Sequence, residues 1–530
     1  MTETKQPPHE PEPETLIATE PPTMNEATNK KETFPLRTAE AKAANPHLDL
    51  PDASAPILSQ YGVAYAVIKH RGNPYVWMIG SKQLNNILRG MSNAKGVKLR
   101  KQDLNDLNED LIACAEMSGE IREVWSRVAP ISGGIEIDLA DEANTRIQVT
   151  AGKVDIISEG SETLFFRNPV AQPMVMPAAH GDLGLLKKYV NLSGSDLVLF
   201  IGWLSYTLAH PKVSSSKYVI LVLQGDQGTG KSFVCRSIII NLLDPSRLGV
   251  QVFPSNAKDL AIAAQHAHVL CYDNLRGFKS QMADMLCMAS TGGTLSNRAL
   301  YTDADQQLYN LHAPLVLNGI HSFINQSDLA QRCLSIRTLS MPESRRKSEA
   351  DMIKALETDL PVILRGLLDL TAAVFKALPH AEVTNPERMY DFVKWLAAME
   401  SVEGIPAGIY QAAYSDVLQE AQLDSLMENL LSSIVIEFTN IRDFVKTGEW
   451  EGTPAQLLDE LNSFMPFGNN RSMEWPQNAI SLSRRLNALK AGLMTQGISV
   501  ELSRGKQRKI KIHIINPTVR ENRADPKEDY

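Results

Sequence analysis

The eight residues Gly225-Asp226-Gln227-Gly228-Thr229-Gly230-Lys231-Ser232 constrain this chain more than any other stretch. They fit the spacing GxxxxGK[ST] in full. Directly before them, Tyr218-Val219-Ile220-Leu221-Val222-Leu223 is a continuous apolar, β-rich run, the pattern of a central parallel strand. Directly after them, Phe233-Val234-Cys235-Arg236-Ser237-Ile238 reads as an apolar helical segment. Strand, loop and helix follow in the order this motif requires. Glycines let backbone N–H groups converge on a phosphate, and the helix N-terminus behind them favours an anion. The pattern predicts an ATP site. Lys231 supplies a point charge between the β- and γ-phosphates, and the Ser232 hydroxyl is the expected Mg²⁺ ligand.

Two further apolar runs, Val269-Leu270-Cys271-Tyr272 and Pro314-Leu315-Val316-Leu317, alternate with helical stretches. Together they predict a three-layer α/β domain over about 185–345. Asp273 ends the first run and is placed to hold Mg²⁺ through water. Asn274 follows it, where a carboxylate would normally activate the attacking water, and an amide cannot accept that proton. Three readings stay open: Asp273 serves both roles, Asp284 or a glutamate from another segment helps, or hydrolysis is slow. Asn318 ends the second run, placed to orient water or read a γ-phosphate, although an Asn there also suits the cap of a turn. Arg332, on the stretch Asp328-Leu329-Ala330-Gln331-Arg332, fits an arginine finger reaching across a subunit boundary, with Arg337 its nearest rival.

Around this core the chain divides by composition. Residues 1–50 alternate Pro and Glu and read as a disordered acidic tail. Residues 55–175 read as an α+β domain, with one strand expected over Val124 to Val128. Residues 346–440 are helical, with Met352 to Leu360 and Val362 to Phe375 read as separate helices, and 451–516 combine helices with a hairpin. Residues 517–530 read as a flexible tail. With 43% hydrophobic and 22% charged residues, a wholly disordered or fibrous protein is excluded. The net charge of -8 excludes a generic basic nucleic-acid coat but leaves room for a local patch. The 5 cysteines form no CxxC, so neither a disulfide framework nor a structural zinc site is expected. No signal peptide is visible, and the most apolar stretch, Leu197 to Leu204, is far shorter than the roughly 20 residues a bilayer span needs. A cytoplasmic protein without a membrane partner is the expectation.

Basic residues collect near the end of the chain. Arg484, Arg485, Lys490, Arg504, Lys506, Arg508, Lys509 and Lys511 face a single acid, Glu501, between 481 and 515. Helices followed by a two-stranded wing resemble a winged helix. Helix Ala479 to Leu493 would enter a DNA major groove, and the turn Arg504-Gly505-Lys506-Gln507-Arg508 would touch phosphates or the minor groove. A protein-docking domain with a solvated basic face is the competing reading.

Several phrases together resemble a known architecture. They are Gly202-Trp203-Leu204, the loop Gly225 to Ser232, Cys271-Tyr272-Asp273-Asn274-Leu275, Ala289-Ser290-Thr291-Gly292-Gly293, Leu300-Tyr301-Thr302-Asp303, Leu317-Asn318-Gly319-Ile320 and Asp328 to Arg332. Over about 190–400 the chain resembles ATP-binding proteins of phages, prophages and mobile elements. These are related to the superfamily 3 hexameric helicases of the AAA+ class. The resemblance implies an AAA+-like P-loop core flanked by an N-terminal α+β domain and a C-terminal winged-helix-like domain. It implies ATP and Mg²⁺ held by Lys231, Ser232 and Asp273, a sensor at Asn318, and a finger at Arg332 given to a neighbour. It also implies a hexameric ring with single-stranded DNA in its channel. A hairpin within Gly292 to Leu311, with Asn297-Arg298 near its tip, would touch that DNA through Arg298. The function so implied is a DNA helicase or translocase in phage or mobile-element replication, working with other replication or mobile-element proteins. An ATP-dependent switch or loader that does not unwind, or an antiphage ATPase, is the alternative.

Overall fold

The computed structural model describes residues 53–70, 73–94, 96–118, 120–277, 280–298, 306–320, 323–324, 326–340, 348–440, 448–464, 475–503 and 508–515. The chain forms a mixed α/β fold: a β-rich N-terminal domain, a parallel-sheet core, and helical C-terminal domains.

The N-terminal domain contains β1 (Ala53–Ser59), β2 (Ala64–His70), β3 (Asn73–Met78), α1 (Lys82–Ala94) and α2 (Lys101–Ser118). It continues with β4 (Ile121–Arg122), β5 (Val124–Trp125), β6 (Val128–Ile131), β7 (Gly134–Asp138), β8 (Arg146–Thr150), β9 (Lys153–Ile157) and β10 (Leu164–Phe166). Within residues 89–99, Ser92 Oγ donates to the Val97 carbonyl at 2.8 Å. One sheet has the order β4-β1-β2-β3-β10-β5, and a second is the meander β6-β7-β8-β9. The single strand expected over 124–128 is split between these two sheets. The cause is Arg127, whose guanidinium turns inward at the corner. It donates to Asp244 Oδ1 (2.9 Å) and to the carbonyls of Asp138 (2.9 Å), Gln172 (3.1 Å) and Pro245 (3.2 Å). A guanidinium that is 1% exposed persists only with its donors paired, so the corner is fixed by these bonds.

The core begins with α3 (Gly194–Ala209), capped by Ser193, whose hydroxyl accepts from the Asp196 N–H. Next come β11 (Ile220–Gln224), the glycine loop, and helix α4 over residues 231–243, which widens into a π turn over Val234–Ile239. There follow β12 (Gln251–Val252), α5 (Ala257–His266), β13 (Leu270–Leu275), α6 (Ser280–Thr291), β14 (Gly293–Arg298) and β15 (Gln306–Leu311). β16 (Leu315–Gly319), α7 (Ser327–Ala330) and β17 (Cys333–Arg337) complete it. The five strands pair in parallel in the order β12-β13-β16-β11-β17, while β14 and β15 make a separate antiparallel hairpin. Side chains of β11 alternate between two apolar layers. Leu221 and Leu223 face α3 and α4, and Ile220 and Val222 face α5 and α6. Trp203 of α3 is fully buried and donates its indole N–H to the Val219 carbonyl at 2.7 Å. That bond ties the helix to the strand that feeds the loop.

The helical region contains α8 (Glu349–Ala377), α9 (Tyr390–Glu403), α10 (Ile409–Glu428) and α11 (Leu430–Phe438). α8 runs unbroken through Pro361, where two helices were expected. Proline removes the N–H that would pair with the Glu357 carbonyl and crowds the preceding turn. On the far side of the proline the segment before the core is bonded to the helix: Ala178 N–H donates to Pro361 O (3.0 Å), and Asp182 N–H donates to Val362 O (3.2 Å). The last module adds β18 (Glu449–Gly452), α12 (Pro454–Ser463), α13 (Ala479–Thr495), β19 (Ile498–Leu502) and β20 (Ile510–Ile514). Its sheet order is β18-β20-β19, antiparallel throughout. α11 packs into this module through Leu431, Val435 and Phe438. Among the described residues, no helix is long and apolar enough to cross a membrane.

Candidate nucleotide-binding site

In a parallel sheet with helices on both faces, ligands bind beyond the carboxyl ends of the strands. Here β11, β16 and β13 are neighbours, and they end in the glycine loop, Asn318 and Asp273 respectively. Adjacent parallel strands therefore deliver three separate sequence signals to one edge.

The loop is latched to the end of β17. Thr338 N–H and Oγ1 both donate to Gln224 O, at 2.8 and 3.0 Å, and its hydroxyl lies 2.7 Å from Thr229 Oγ1. Gly225 has φ +142, and a Cβ there would lie 2.3 Å from Thr338 Oγ1. Only glycine fits both the backbone and the latch. Lys231 reaches back over the loop, and its Nζ donates to the carbonyls of Gly225 (2.8 Å) and Asp226 (2.7 Å). Burial pulls its ammonium below the usual lysine range, and the carboxylates of Asp273 and Asp226 oppose that shift.

Beside it, Ser232 Oγ donates to Asp273 Oδ2 at 2.7 Å. Asp273 Oδ1 accepts from Asn318 Nδ2 (2.7 Å) and from the Asn274 N–H (2.6 Å). Asn318 is 1% exposed, and its Oδ1 has no hydrogen-bond partner among the described residues. These groups open on a cavity of about 930 Å³. Tyr189, Phe233 and Met352 also line it, with Arg236 paired to Glu349 at 3.2 Å. A hydroxyl and a carboxylate on adjacent elements are the hard oxygen donors that Mg²⁺ takes, with phosphate oxygens and water completing its shell. No group of three His, Cys, Asp or Glu side chains suited to a metal occurs among the described residues.

Asn274 has a backbone reason to be where it is. Its φ is +60, and pairing of β13 with β16 slips between Tyr272 and Leu275. Asn tolerates the left-handed region better than most side chains, whereas Glu there is strained. The residue that breaks the expected pair of acids is thus the one that forms the bulge.

Lys231, Ser232, Asp273, Asn274 and Asn318 line one cavity, together with Gln227, Gly228, Thr229 and Gly230. Gly225 and Asp226 form the base of the loop and hold Lys231. Asp284 is exposed on α6 and does not line the cavity. Arg332 does not line it either. It immediately precedes β17, whose Cys333 pairs with Ile220 and whose Arg337 pairs with Gln224. At about 3.3 Å per residue, it stands roughly 16 Å back from the loop end of its own sheet. Its side chain is 13% exposed, with Nε 3.4 Å from Asp328 Oδ2. Arg337 is at the loop end but pairs with Asp424 at 3.5 Å.

Arg298 closes the described part of β14, in register with Gln306. In the last module, Arg484 and Lys490 are exposed on α13, Arg485 is half-buried, and Arg508 is exposed just before β20. Arg504 and Lys506 lie outside the described residues. Lys509 and Lys511 pair with Glu451 and Glu449 of β18, each at 2.7 Å. The basic face is therefore narrower than the count over 481–515 suggested, because the acids that balance it lie earlier in the chain. Tyr189, Arg236, Arg276, Glu349 and Met352 line the cavity without having been expected there. Only Arg276, three residues beyond Asp273, had a position in the sequence that could have flagged it.

Residues 184–421 match the family model of the Actinomycete integrative conjugative element replication protein, AICE RepA. Residues 437–525 match the AICE RepA C-terminal domain. The chain is therefore similar to AICE RepA over these two stretches. The first match takes in the glycine loop, Asp273, Asn318 and Arg332, and the second takes in β18 to β20 with α12 and α13. The chain is thus similar in its domains to a mobile-element replication protein, in keeping with the broader part of the resemblance. Among solved structures, an A form apo structure of the NrS-1 C terminal region is similar at 11% identity and TM-score 0.35, covering 87% of this chain and 96% of that one. A second apo structure of that region has 11% identity and TM-score 0.33, covering 92% and 100%. Likeness at this level says nothing of activity. No curated relative matches the chain.

Proposed function

We propose that this AICE RepA-like chain is an Mg²⁺-dependent ATPase that moves DNA strands during replication of a mobile element. The observation that carries the reading is the meeting of Lys231, Ser232, Asp273 and Asn318 at the ends of three adjacent strands. The sheet order, with the loop strand between β16 and β17, suits the AAA+ core that the sequence resembles. Lys231 exchanges its loop carbonyls for phosphate oxygens, a swap that its lowered basicity does not prevent. Ser232 and Asp273 hold Mg²⁺, which when bound offsets charge on the phosphates. Asn318 orients the attacking water, using the carbonyl oxygen left free by its bond to Asp273.

In hydrolysis, the water oxygen bonds to the γ-phosphorus as the bond to the bridging oxygen breaks. The electron pair leaves with ADP. One water proton stays on the phosphate formed, and the other passes to solvent. Arg332, set back from its own site, acts on the site of a neighbouring subunit, which requires a ring, most simply a hexamer. The β14–β15 hairpin carries Arg298 into the channel against single-stranded DNA. Arg484, Arg485, Lys490 and Arg508, with Arg504 and Lys506, bind DNA from the winged module.

A second reading has its own support. Both oxygens of Asp273 already accept hydrogen bonds, and the other carboxylate lining the cavity, Glu349, is paired with Arg236. A site whose described carboxylates are all engaged suits a slow, switch-like ATPase that loads onto DNA. Strand displacement on a forked duplex separates the two. ATP-dependent displacement that Lys231→Ala abolishes supports the motor. ATP-dependent assembly on DNA without displacement supports the switch.

A further inference from the structure

Among the described residues, four basic side chains line the cavity: Lys188, Lys231, Arg236 and Arg276. Three are engaged. Lys188 Nζ lies 2.9 Å from Asp359, Lys231 donates to its loop, and Arg236 pairs with Glu349 at 3.2 Å. Arg276 is exposed into the cavity and has no ion pair or hydrogen bond among the described residues. Its position is built rather than accidental. The bulge at Asp273-Asn274 ends where Leu275, itself buried, pairs with Gly319, the residue after Asn318. Arg276 is next along the chain, followed by Gly277 with φ +145. The guanidinium is therefore carried on the strand end that also holds Asp273, beside Asn318, Gly319 and Ile320.

Among the described residues beside Asp273, few cations are free to meet a phosphate. Asp273 contributes a carboxylate, Lys231 is the one cation of the loop, and Arg332 lies outside the cavity. A guanidinium that is free of a protein carboxylate and faces a phosphate site suits two phosphate oxygens at once.

We propose that Arg276 is a γ-phosphate contact supplied by the same chain that binds the nucleotide. This rests on the reading of the cavity as an ATP site. In the ground state Arg276 distinguishes ATP from ADP. During hydrolysis it stabilises charge on the equatorial oxygens of the transferring group, while Arg332 of a neighbour is a separate and additional contribution.

The test uses the full chain and compares wild type with Arg276→Ala, Arg276→Lys and Lys231→Ala. Affinities for ADP and for the non-hydrolysable analogue AMP-PNP are measured with Mg²⁺, together with ATP turnover. Arg276→Ala is expected to leave ADP affinity unchanged and to weaken AMP-PNP by about 10-fold or more, the worth of one charge-assisted contact. Turnover should fall by about 100-fold, as when one preorganised donor is removed. Arg276→Lys should recover part of the AMP-PNP affinity. The assignment is overturned if Arg276→Ala weakens both nucleotides equally, or if it leaves both the AMP-PNP-to-ADP ratio and turnover at wild-type values. A wild-type protein that binds neither nucleotide in a Lys231-dependent way overturns the ATP site itself, and the assignment with it.

Discussion

At the scale of single residues, Asn274 shows where chemistry and backbone compete for one position. Spacing alone makes it look like a missing catalytic acid, but its φ of +60 makes it a hinge in the strand. Asn274→Ala should lower stability by about 1–2 kcal/mol, because Ala lacks the local polar contacts that make the left-handed region tolerable. Asn274→Gly should be close to neutral. The thermal midpoints of the two variants check this, and equal losses for both would contradict it. Lys231, Ser232 and Asp273 were legible because a loop, a helix start and a strand end each leave a mark in the sequence. The left-handed backbone at 274 left none, so the bulge could not be read. The latch from Thr338 was hidden for a different reason. It depends on β17 lying beside β11, a pairing between residues more than a hundred positions apart.

At the scale of elements, the bridge before the core and α8 form a joint around Pro361. Gly181 passes so close to α8 that a Cβ would lie 2.2 Å from Gly366 N. Gly181→Ala should therefore cost about 1–3 kcal/mol, as overpacking does, seen as a lower thermal midpoint. An unchanged midpoint would show that the bridge is not pinned there. Proline at 361 predicted a break from local rules alone, yet α8 runs through it, with the bridge bonded to the carbonyls of Pro361 and Val362. The buried Arg127 likewise divides a run that reads as one strand. α13 was legible because its apolar and basic residues are close in sequence. The partners of Lys509 and Lys511 were not, because β18 precedes them by more than fifty residues. Arg484→Ala and Lys490→Ala should each lessen the salt dependence of DNA binding, by about one unit of log–log slope if each meets a phosphate. A slope identical to wild type in both would remove α13 from the DNA interface.

At the scale of the whole molecule, burial sets how three histidines answer to pH. Burial lowers His210, His268 and His312 from 6.5 to about 4, and nearby Lys212 adds to the shift at His268 and His312. Each ring meets a backbone carbonyl: Tyr206 O at 2.7 Å, Thr207 O at 3.3 Å and Ser216 O at 3.0 Å. Between the folded and unfolded values, the unfolded chain binds more protons, so stability rises with pH. Their contribution is complete above about 6.5 and falls away as pH drops toward 4. Thermal midpoints measured from pH 7 to 4.5 should fall, and the slope should be shallower in His312→Gln. A slope unaffected by that substitution would show that His312 is not among the groups taking up protons.

The central claim is that the loop, Asp273 and Asn318 form one working ATP site. It is tested most directly by ATP turnover of wild type and Lys231→Ala, with and without single-stranded DNA, while mass is followed by light scattering. The account predicts turnover by an oligomer that single-stranded DNA stimulates and Lys231→Ala abolishes. Turnover that is the same in wild type and Lys231→Ala, or no ATP binding by wild type, would contradict it.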